Sequence, residues 1–508
     1  MELILTDIFA VGVCLAWMLT TKTYSKPHPP GPKGLPLLGN MLDMPTSHEW
    51  LKAAEWKKVY GDVIFLSVLG KSVVFLNSYK TVTDLMDKQS NACSSRPHSQ
   101  MGDLIKWDWF MAVMPYGETW RKHRATTQKV LDPAAVADVA EQQVQEVAKL
   151  INNLIKAPDG FLRHIRGSIT STIMLITYGH EVKSGDDPYV TLAEKTSAIF
   201  SDMARPGAFL VEAIPLLKLV PVWFPGAYFQ RLAERGYKLS QEMKFRPYRD
   251  MKEKVLNGTA RPSVISKLIE ESMVAGDNSI DDEEKIANVA GMLYAAGADA
   301  LTSVMETFVL AMVLYPEVQI RAQKELDRVI GSDRLPNLRD REHLPYVSAI
   351  CSECLRWQPV TPIGVPHATS AEVEYKGYSI PKGSTLIANQ WLILNDPKEY
   401  PNPEEFDPER FLPRGPGSKP ARDPSKVAFG FGRRICPGRF MAMNTIFIAI
   451  SSILATLNIE KKIGPDMKPI TPKIDYVPGF TRHPNPFECR ITPRSTKTEG
   501  VIHQYLDN

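Results

Sequence analysis

The run Phe429-Gly430-Phe431-Gly432-Arg433-Arg434-Ile435-Cys436-Pro437-Gly438 is the densest concentration of chemically capable residues in the chain. Its glycines let the backbone turn tightly beside something flat. Pro437 fixes φ directly after the cysteine, and Gly438 keeps a Cβ away from it. Arg433 and Arg434 favour thiolate over thiol at Cys436 and suit anionic groups. The Gly-x-Gly fragment lacks a third glycine and a preceding long strand, so a dinucleotide loop accounts for it poorly. Cys351-Ser352-Glu353-Cys354 has redox or zinc spacing, but no second Cys-x-x-Cys or histidine partner accompanies it. It falls in mid-helix and reads as two small core residues. Gly70-Lys71-Ser72 resembles the end of a phosphate loop, yet Phe65 stands where that pattern needs glycine.

These residues need a scaffold, and the chain has ample material for one. It has 508 residues, 44% hydrophobic, 23% charged, with a formal net charge of +3. So small a basic excess disfavours nucleic-acid binding. Six cysteines are too few for a disulfide framework and suit a reducing compartment. The ten histidines form no HExxH or HxH pattern, so no histidine-built zinc site is indicated. Length alone suggests three domains, but after the proline-rich start no second linker, repeat or low-complexity tract divides the chain.

Leu3 to Leu19 is apolar except for Thr6, Asp7 and Gly12, and Lys22, Lys26 and the run Pro27-His28-Pro29-Pro30-Gly31-Pro32 follow. As a helix this stretch would rise about 26–30 Å, enough to cross a bilayer core. A cleaved signal peptide would need a positive start, which Met1-Glu2 does not supply. We therefore expect a single-pass anchor over 1–21, a hinge over 22–34 and a body over 35–508. The lysines after the span place that body in the cytosol, where the sequon Asn257-Gly258-Thr259 is a chance match.

Within the body, Asp62 to Asn77 predicts a β-hairpin turning near Gly70. Val373–Ile380 and Thr385–Ala388 suggest a second short sheet. The longest helical pattern starts near Ser279, whose Ser-Ile-Asp-Asp sequence is capping-box-like, and runs unbroken to Tyr315. A mainly helical α+β protein with small sheets and one very long helix results.

The cysteine run resembles the haem-loop signature of the cytochrome P-450 family, Phe-x-x-Gly-x-Arg-x-Cys-x-Gly, at every fixed position. The resemblance extends over almost the whole chain. Glu353 and Arg356 match the Glu-x-x-Arg pair, on a helix from about Leu344 to Gln358. Phe406 to Phe411 resembles the following Pro-Glu-Arg-Phe segment, Trp120 to Arg124 the Trp-x-x-x-Arg helix, and Pro29 to Pro32 the hinge behind a microsomal anchor. More loosely, the chain looks like filamentous-fungal members of secondary metabolism.

The resemblance implies a triangular helical body with the long helix over haem b, whose iron takes the Cys436 thiolate. Cofactor contacts are implied for Phe429 and Gly438, and propionate binding for Trp120, Arg124, Arg434 and His367. His123, off the Trp–Arg repeat, reads as a helix-surface residue. Glu353 and Arg356 are an i,i+3 pair ringed by Val347, Ile350, Cys351, Cys354 and Leu355, so partial burial with Arg410 as third member is expected. Such a triad is a specificity device, not a catalytic group.

The long helix carries Ala296-Gly297-Ala298-Asp299-Ala300-Leu301-Thr302. The family pattern there is a glycine that loosens the helix, then an acid and a threonine that deliver protons. Gly297 and Asp299 match, but the threonine position is Ala300, which offers neither donor nor acceptor. Thr302, though a candidate site residue, lies about 200° further round the helix. Water or a substrate hydroxyl filling the gap, poor coupling, and isomerase or dehydratase chemistry all remain open.

Substrate contacts are implied for Trp107, Phe110, Phe209, Ala296, Ile363 and Phe480, a lining suited to an apolar, ring-containing molecule. Pro221 to Gly226 either joins that lining or dips into the bilayer. Arg121, Lys122, Lys129, Lys426, Arg433 and Arg439 would offer a basic face to an acidic NADPH-cytochrome P-450 reductase, with cytochrome b5 as a second donor. The chain has no flavin or nicotinamide motif of its own. The expectation is an endoplasmic-reticulum monooxygenase (oxidoreductase, EC 1.14 type) acting on a terpenoid, polyketide or aromatic intermediate.

Overall fold

The computed structural model describes residues 26–182, 187–203, 208–276, 279–413, 415 and 417–506, without the side chains of 197, 201 and 202. The expected anchor over 1–21 lies outside them. Eight helices frame the site: α1 (Glu49–Tyr60), α2 (Glu118–Val130), α3 (Ala140–Lys156), α4 (Phe161–Tyr178), α5 (Tyr228–Leu256), α6 (Ile280–Leu314), α7 (Pro345–Trp357) and α8 (Arg439–Thr456). The axis of the fold is α6, 35 residues long, whose first turn Ser279 caps by accepting from the Asp282 amide. Asp281, Asp282 and Glu283 in that turn complement the positive end of the helix dipole. It packs against α2, α4, α5 and α8, and its flanking stretches Ile286–Tyr294 and Leu301–Val313 are almost wholly buried. Both α6 and α8 are long and apolar enough to cross a membrane, but most of each apolar stretch is buried inside the fold.

The β structure is small. Strands β1 (Val63–Val68) and β2 (Lys71–Leu76) form the expected hairpin, turning through Leu69 and Gly70. Strand β4 (Val373–Tyr375) pairs only with β5 (Tyr378–Ile380). Strand β6 (Thr385–Ala388) departs from expectation. Rather than joining β4 and β5, it runs parallel to β2 and antiparallel to β3 (His367–Ala368), giving the order β1-β2-β6-β3. Parallel pairing joins segments about three hundred residues apart, a partner that no local pattern can reveal. The pair β7 (Leu457–Glu460) and β8 (Arg490–Pro493) closes the end of the chain onto α8.

The proline run is laid on this sheet. The amide of Phe65 donates to the Pro30 carbonyl (3.0 Å) and that of Ser379 to the Pro27 carbonyl (2.8 Å). The His28 ring stacks on Phe65 at 4.4 Å. From Pro27 onward the segment is therefore a strap rather than a free hinge. Gly31 is what lets it lie so close, since a Cβ there would stand 1.9 Å from the Phe65 carbonyl oxygen. Gly31→Ala is expected to cost about 1–3 kcal/mol by overpacking, read as a lowered thermal midpoint. An unchanged midpoint would show that the strap adds nothing to the body.

Candidate functional site

Cys436 sits at the end of a tightly folded loop. Its amide donates to the Phe429 carbonyl at 2.8 Å, closing a turn around Gly430 (φ 78°) and Gly432 (φ 56°). Glycine is required at 432 twice over. Its φ is left-handed, and a Cβ would meet the Met86 carbonyl oxygen at 2.0 Å. The Gly432 amide also donates to Asp87 (2.5 Å), fixing the loop to the short helical segment Thr83–Lys88. Gly438 has no such crowding, with Sγ of Cys436 3.8 Å from its would-be Cβ. Burial pushes the Cys436 thiol up, opposed by the Gly438 amide and by Arg124 and Arg439. Two helices are tied to this loop: α8 leaves it at Arg439, and Arg124, in the middle of α2, donates to the Ile435 carbonyl at 2.7 Å.

Arg434 is buried and donates to the carbonyls of Ser94 (2.7 Å), Met111 (3.1 Å) and Met114 (2.7 Å), with its guanidinium 4.3 Å over the Trp120 ring. A third arginine, absent from the sequence reading, completes the group. Arg96 is buried and donates to the carbonyls of Ala112, Val365 and Pro366 at 2.7–2.8 Å. Burial and then Arg434 pull the Arg96 guanidinium well below its ordinary value; burial and then Arg124 do the same for Arg434. Buried guanidinium nevertheless stays charged. Among the described residues none of Arg96, Arg124 and Arg434 has a carboxylate partner, so the cluster carries an unmet demand for negative charge. His367 lies beside it, its Nδ1–H donating to the Cys93 carbonyl at 2.8 Å. Burial and Arg96 hold its imidazole well below the ordinary value, so it donates from Nε2 only once an anion draws a proton onto it.

Haem, the group the resemblance implies, fits this arrangement. It brings two carboxylates to three uncompensated guanidiniums, and a flat macrocycle to a loop in which Gly430, Gly432 and Gly438 carry no side chain. The long helix supplies the opposing feature. Its residues 295–300 are only partly covered, with Ala296 exposed, while the helix on either side is buried. Phe429 and Gly430 are likewise half-covered.

The glycine in this stretch sits at a helix–helix contact. A Cβ at Gly297 would meet Cδ1 of Ile173 at 2.9 Å, so Gly297 permits close packing of α6 on α4. Asp299 lies partly exposed, 3.1 Å from Nε2 of His483 and 3.5 Å from Arg166 of α4. Burial would raise its carboxyl, but His483 and Arg166 outweigh it and hold it below the usual range. Ala300 is half-covered. Thr302 is withdrawn from the site. It is fully buried, and its hydroxyl donates back to the Ala298 carbonyl at 2.7 Å.

Glu353, Arg356 and Arg410 meet as one buried ionic cluster beneath the loop. Arg356 donates to Glu353 from Nε and Nη2 at 2.6 and 2.7 Å, and Arg410 from Nε at 3.1 Å. The Asp407 amide adds a fourth donor at 2.8 Å. Both arginines spend their remaining N–H groups on carbonyls between Leu394 and Glu405. Cys351 and Cys354 are fully buried beside them. His123 departs from the surface role expected of it. It is buried, with Nδ1–H donating to the Thr119 carbonyl and Nε2 accepting from Asn288, which clips α2 to α6.

Five rings gather in one cluster, with Trp109 lying 5.6 Å from Phe110 and against Gly291 of α6. Trp107 stacks on Phe200 at 4.8 Å; Phe110 lies 5.6 Å from Trp107, and Phe480 lies 5.7 Å from Phe200. Phe209 packs on the same core without joining these rings. Ile363 does not belong to the group: it packs on the satellite core of Trp56, Ile64 and Phe75 under the sheet.

A family model described as Cytochrome P450 matches residues 29–491. Cytochrome P450 monooxygenase COX2 of Coprinopsis cinerea is 41% identical, covering 98% of this chain and 95% of its own. Cytochrome P450 monooxygenase ple1 of Rhodocybe pseudopiperita is 40% identical, with 97% and 94% covered. Tryptamine 4-monooxygenase of Psilocybe cyanescens is 36% identical, with 97% and 98% covered.

Proposed function

The chain belongs to the cytochrome P450 family and is a haem monooxygenase, and from that premise we propose that it inserts one oxygen atom into a lipophilic, ring-containing intermediate of fungal secondary metabolism. The observation that carries the substrate class is the ring cluster of Trp107, Trp109, Phe110, Phe200 and Phe480, which meets α6 through Trp109. Aromatic walls of this kind take their affinity from burying ring faces.

Haem bound at Cys436 supplies the activation of dioxygen. The protein's own residues do the rest. Arg96, Arg124 and Arg434 bind and orient the propionates, with Trp120 stacked under Arg434. The aromatic cluster holds substrate and excludes water. Asp299 keeps a charge at the half-covered helix face, and next to it the methyl of Ala300 leaves room for a water to hydrogen-bond. Electrons come from an NADPH-dependent reductase. Arg121, Lys122, Lys129, Lys426 and Arg433 are all exposed, with Glu118 and Glu271 paired to Lys122 and Lys129, which lowers the net positive charge of the basic face. An anchor over 1–21 would hold the protein on the endoplasmic reticulum with its body in the cytosol. The bilayer-facing reading of Pro221 to Gly226 gains support from exposed Leu216, Leu219 and Trp223.

The test of ligation is the spectrum of the reduced, carbon monoxide-bound protein. Well-folded protein lacking the band that gives the family its name would overturn it. Co-expression with a reductase and profiling of consumed metabolites then identifies the substrate.

Ala300 favours one rival, a haem-thiolate isomerase or dehydratase. Ala300→Thr is expected to raise product formed per NADPH consumed, because a hydroxyl restores a proton donor within reach. Unchanged coupling together with product formed without NADPH would establish the rival instead.

A further inference from the structure

Beyond the Cys436 loop, a charged cluster at the site is built around a residue on no motif. His483 lies in the loop that follows Phe480. Its Nδ1–H donates to Glu306 at 2.8 Å and its Nε2–H to Asp299 at 3.1 Å. Asp299 and Glu306 are seven residues apart on α6, two turns along one face, so the imidazole spans both. With both nitrogens donating to carboxylates, the ring is an imidazolium. Burial alone would lower its pKa, but Asp299 and Glu306 outweigh that and lift it to about 9.

The surrounding contacts make the same loop a clamp on the helix. Ser303 donates to the Arg482 carbonyl, and the Thr307 hydroxyl pairs with that of Tyr476 at 3.0 Å. The Val477 amide closes the loop on the His483 carbonyl (2.9 Å), and the Arg482 amide bonds the Val360 carbonyl (2.9 Å). Three residues before His483, Phe480 turns its ring onto Phe200 in the aromatic cluster. The charged groups facing the imidazole are Asp299 and Glu306 from α6. Arg166 of α4 reaches it through Asp299, and the hydroxyl of Thr481 on the same loop also bonds Asp299.

We propose that His483 is the positioning residue of this site: bridging Asp299 and Glu306, it holds Asp299 as an oriented carboxylate beside Ala300 and ties the Phe480 loop to the same point of the helix. The helix face that lacks a threonine hydroxyl thus keeps a fixed anion, and substrate contact at Phe480 is mechanically linked to that anion. The proposal rests on the haem-monooxygenase reading. The carbon monoxide spectrum tests that reading separately.

Two measurements on the haem-loaded full chain decide it. In 13C-imidazole NMR, His483 is expected to titrate near 9, and to fall by at least about one pH unit in Asp299→Asn/Glu306→Gln. Titration near the ordinary histidine value in the parent protein would overturn the bridge. The second measurement is the pH profile with which dithionite-reduced protein returns to its oxidised spectrum in air. The parent is expected to inflect as pH rises through about 9, where the imidazolium is lost. His483→Gln should abolish that inflection, and His483→Lys, which keeps a cation, should restore one. Identical profiles in parent and His483→Gln, both folded and haem-loaded, would reduce His483 to a structural clip and overturn the proposal. Should His483→Gln fail to load haem, the parent titration and His483→Lys still decide.

Discussion

Glu353→Ala is expected to destabilise the protein by about 3–5 kcal/mol, the cost of breaking a buried ion pair by removing one partner. That is a large share of the about 5–15 kcal/mol that usually separates folded from unfolded chains. The reason is visible in the donors. Glu353 is fully buried and accepts from Arg356 twice, from Arg410 and from the Asp407 amide. Burial pushes its carboxyl up, and Arg356, Arg410 and the amide pull it down; with four donors converging and no acceptor opposite, the site is shaped for the carboxylate. Alanine would leave two guanidiniums facing each other in the interior and a cavity between them. The damage should reach the haem loop, because the Arg410 side chain also bonds the Pro401 carbonyl and the Arg410 carbonyl accepts from the Ala421 amide, a few residues before the loop. Urea denaturation gives the stability loss, and the haem content of purified protein gives the loss at the loop. Glu353→Gln should lie between parent and alanine variant, since it keeps shape and one acceptor but not charge. If alanine is tolerated within about 1 kcal/mol, the triad is not what holds the loop.

Cys436→Ser is expected to abolish turnover while leaving the fold intact. The two side chains are close in size, and the contact that shapes the loop is the backbone bond from residue 436 to Phe429, which serine keeps. What serine cannot supply is thiolate sulfur, whose electron donation favours O–O cleavage. The reduced carbon monoxide spectrum should lose its family band, and circular dichroism and the urea midpoint should stay close to the parent. Retained turnover in Cys436→Ser would mean that the iron takes its ligand elsewhere. The two variants thus separate the two roles of this region: one breaks the support and spares the ligand, the other does the reverse.

Much of the fold was legible because its signals are local. Ser279 followed by acids predicts a helix start, and the absence of a breaker before Pro316 predicts its length. The observed α6 obeys both. Gly70 between two β-branched runs gave the hairpin in the same way. The cysteine loop was legible because turn glycines, a proline and arginines must be contiguous to build it.

Other parts were not. Arg96 stands alone in Ser94-Ser95-Arg96-Pro97; only the proline behind it, which biases Arg96 to an extended backbone, hinted at a special position. His483 has its partners 177 and 184 residues earlier in the chain. Strand β6 finds β2 across about three hundred residues. His123 looked superficial because it lies off the Trp–Arg repeat, yet Asn288 of α6 covers it.

By itself, then, the sequence carried the parts whose chemistry its family resemblance implies: a cysteine loop, an ionic pair on a helix, and a long helix with Ala300 where the family pattern has threonine. Tertiary structure alone decided how those parts are held and charged. It brought Arg96 to Arg124 and Arg434, gave Gly297 to helix packing, returned Thr302 to its own helix, and set His483 between two carboxylates. The physical reason is the same in each case. Whether a side chain is charged, donating or enclosed depends on what stands within about 3–4 Å of it, and in a chain of this length those neighbours come from segments that share no local pattern.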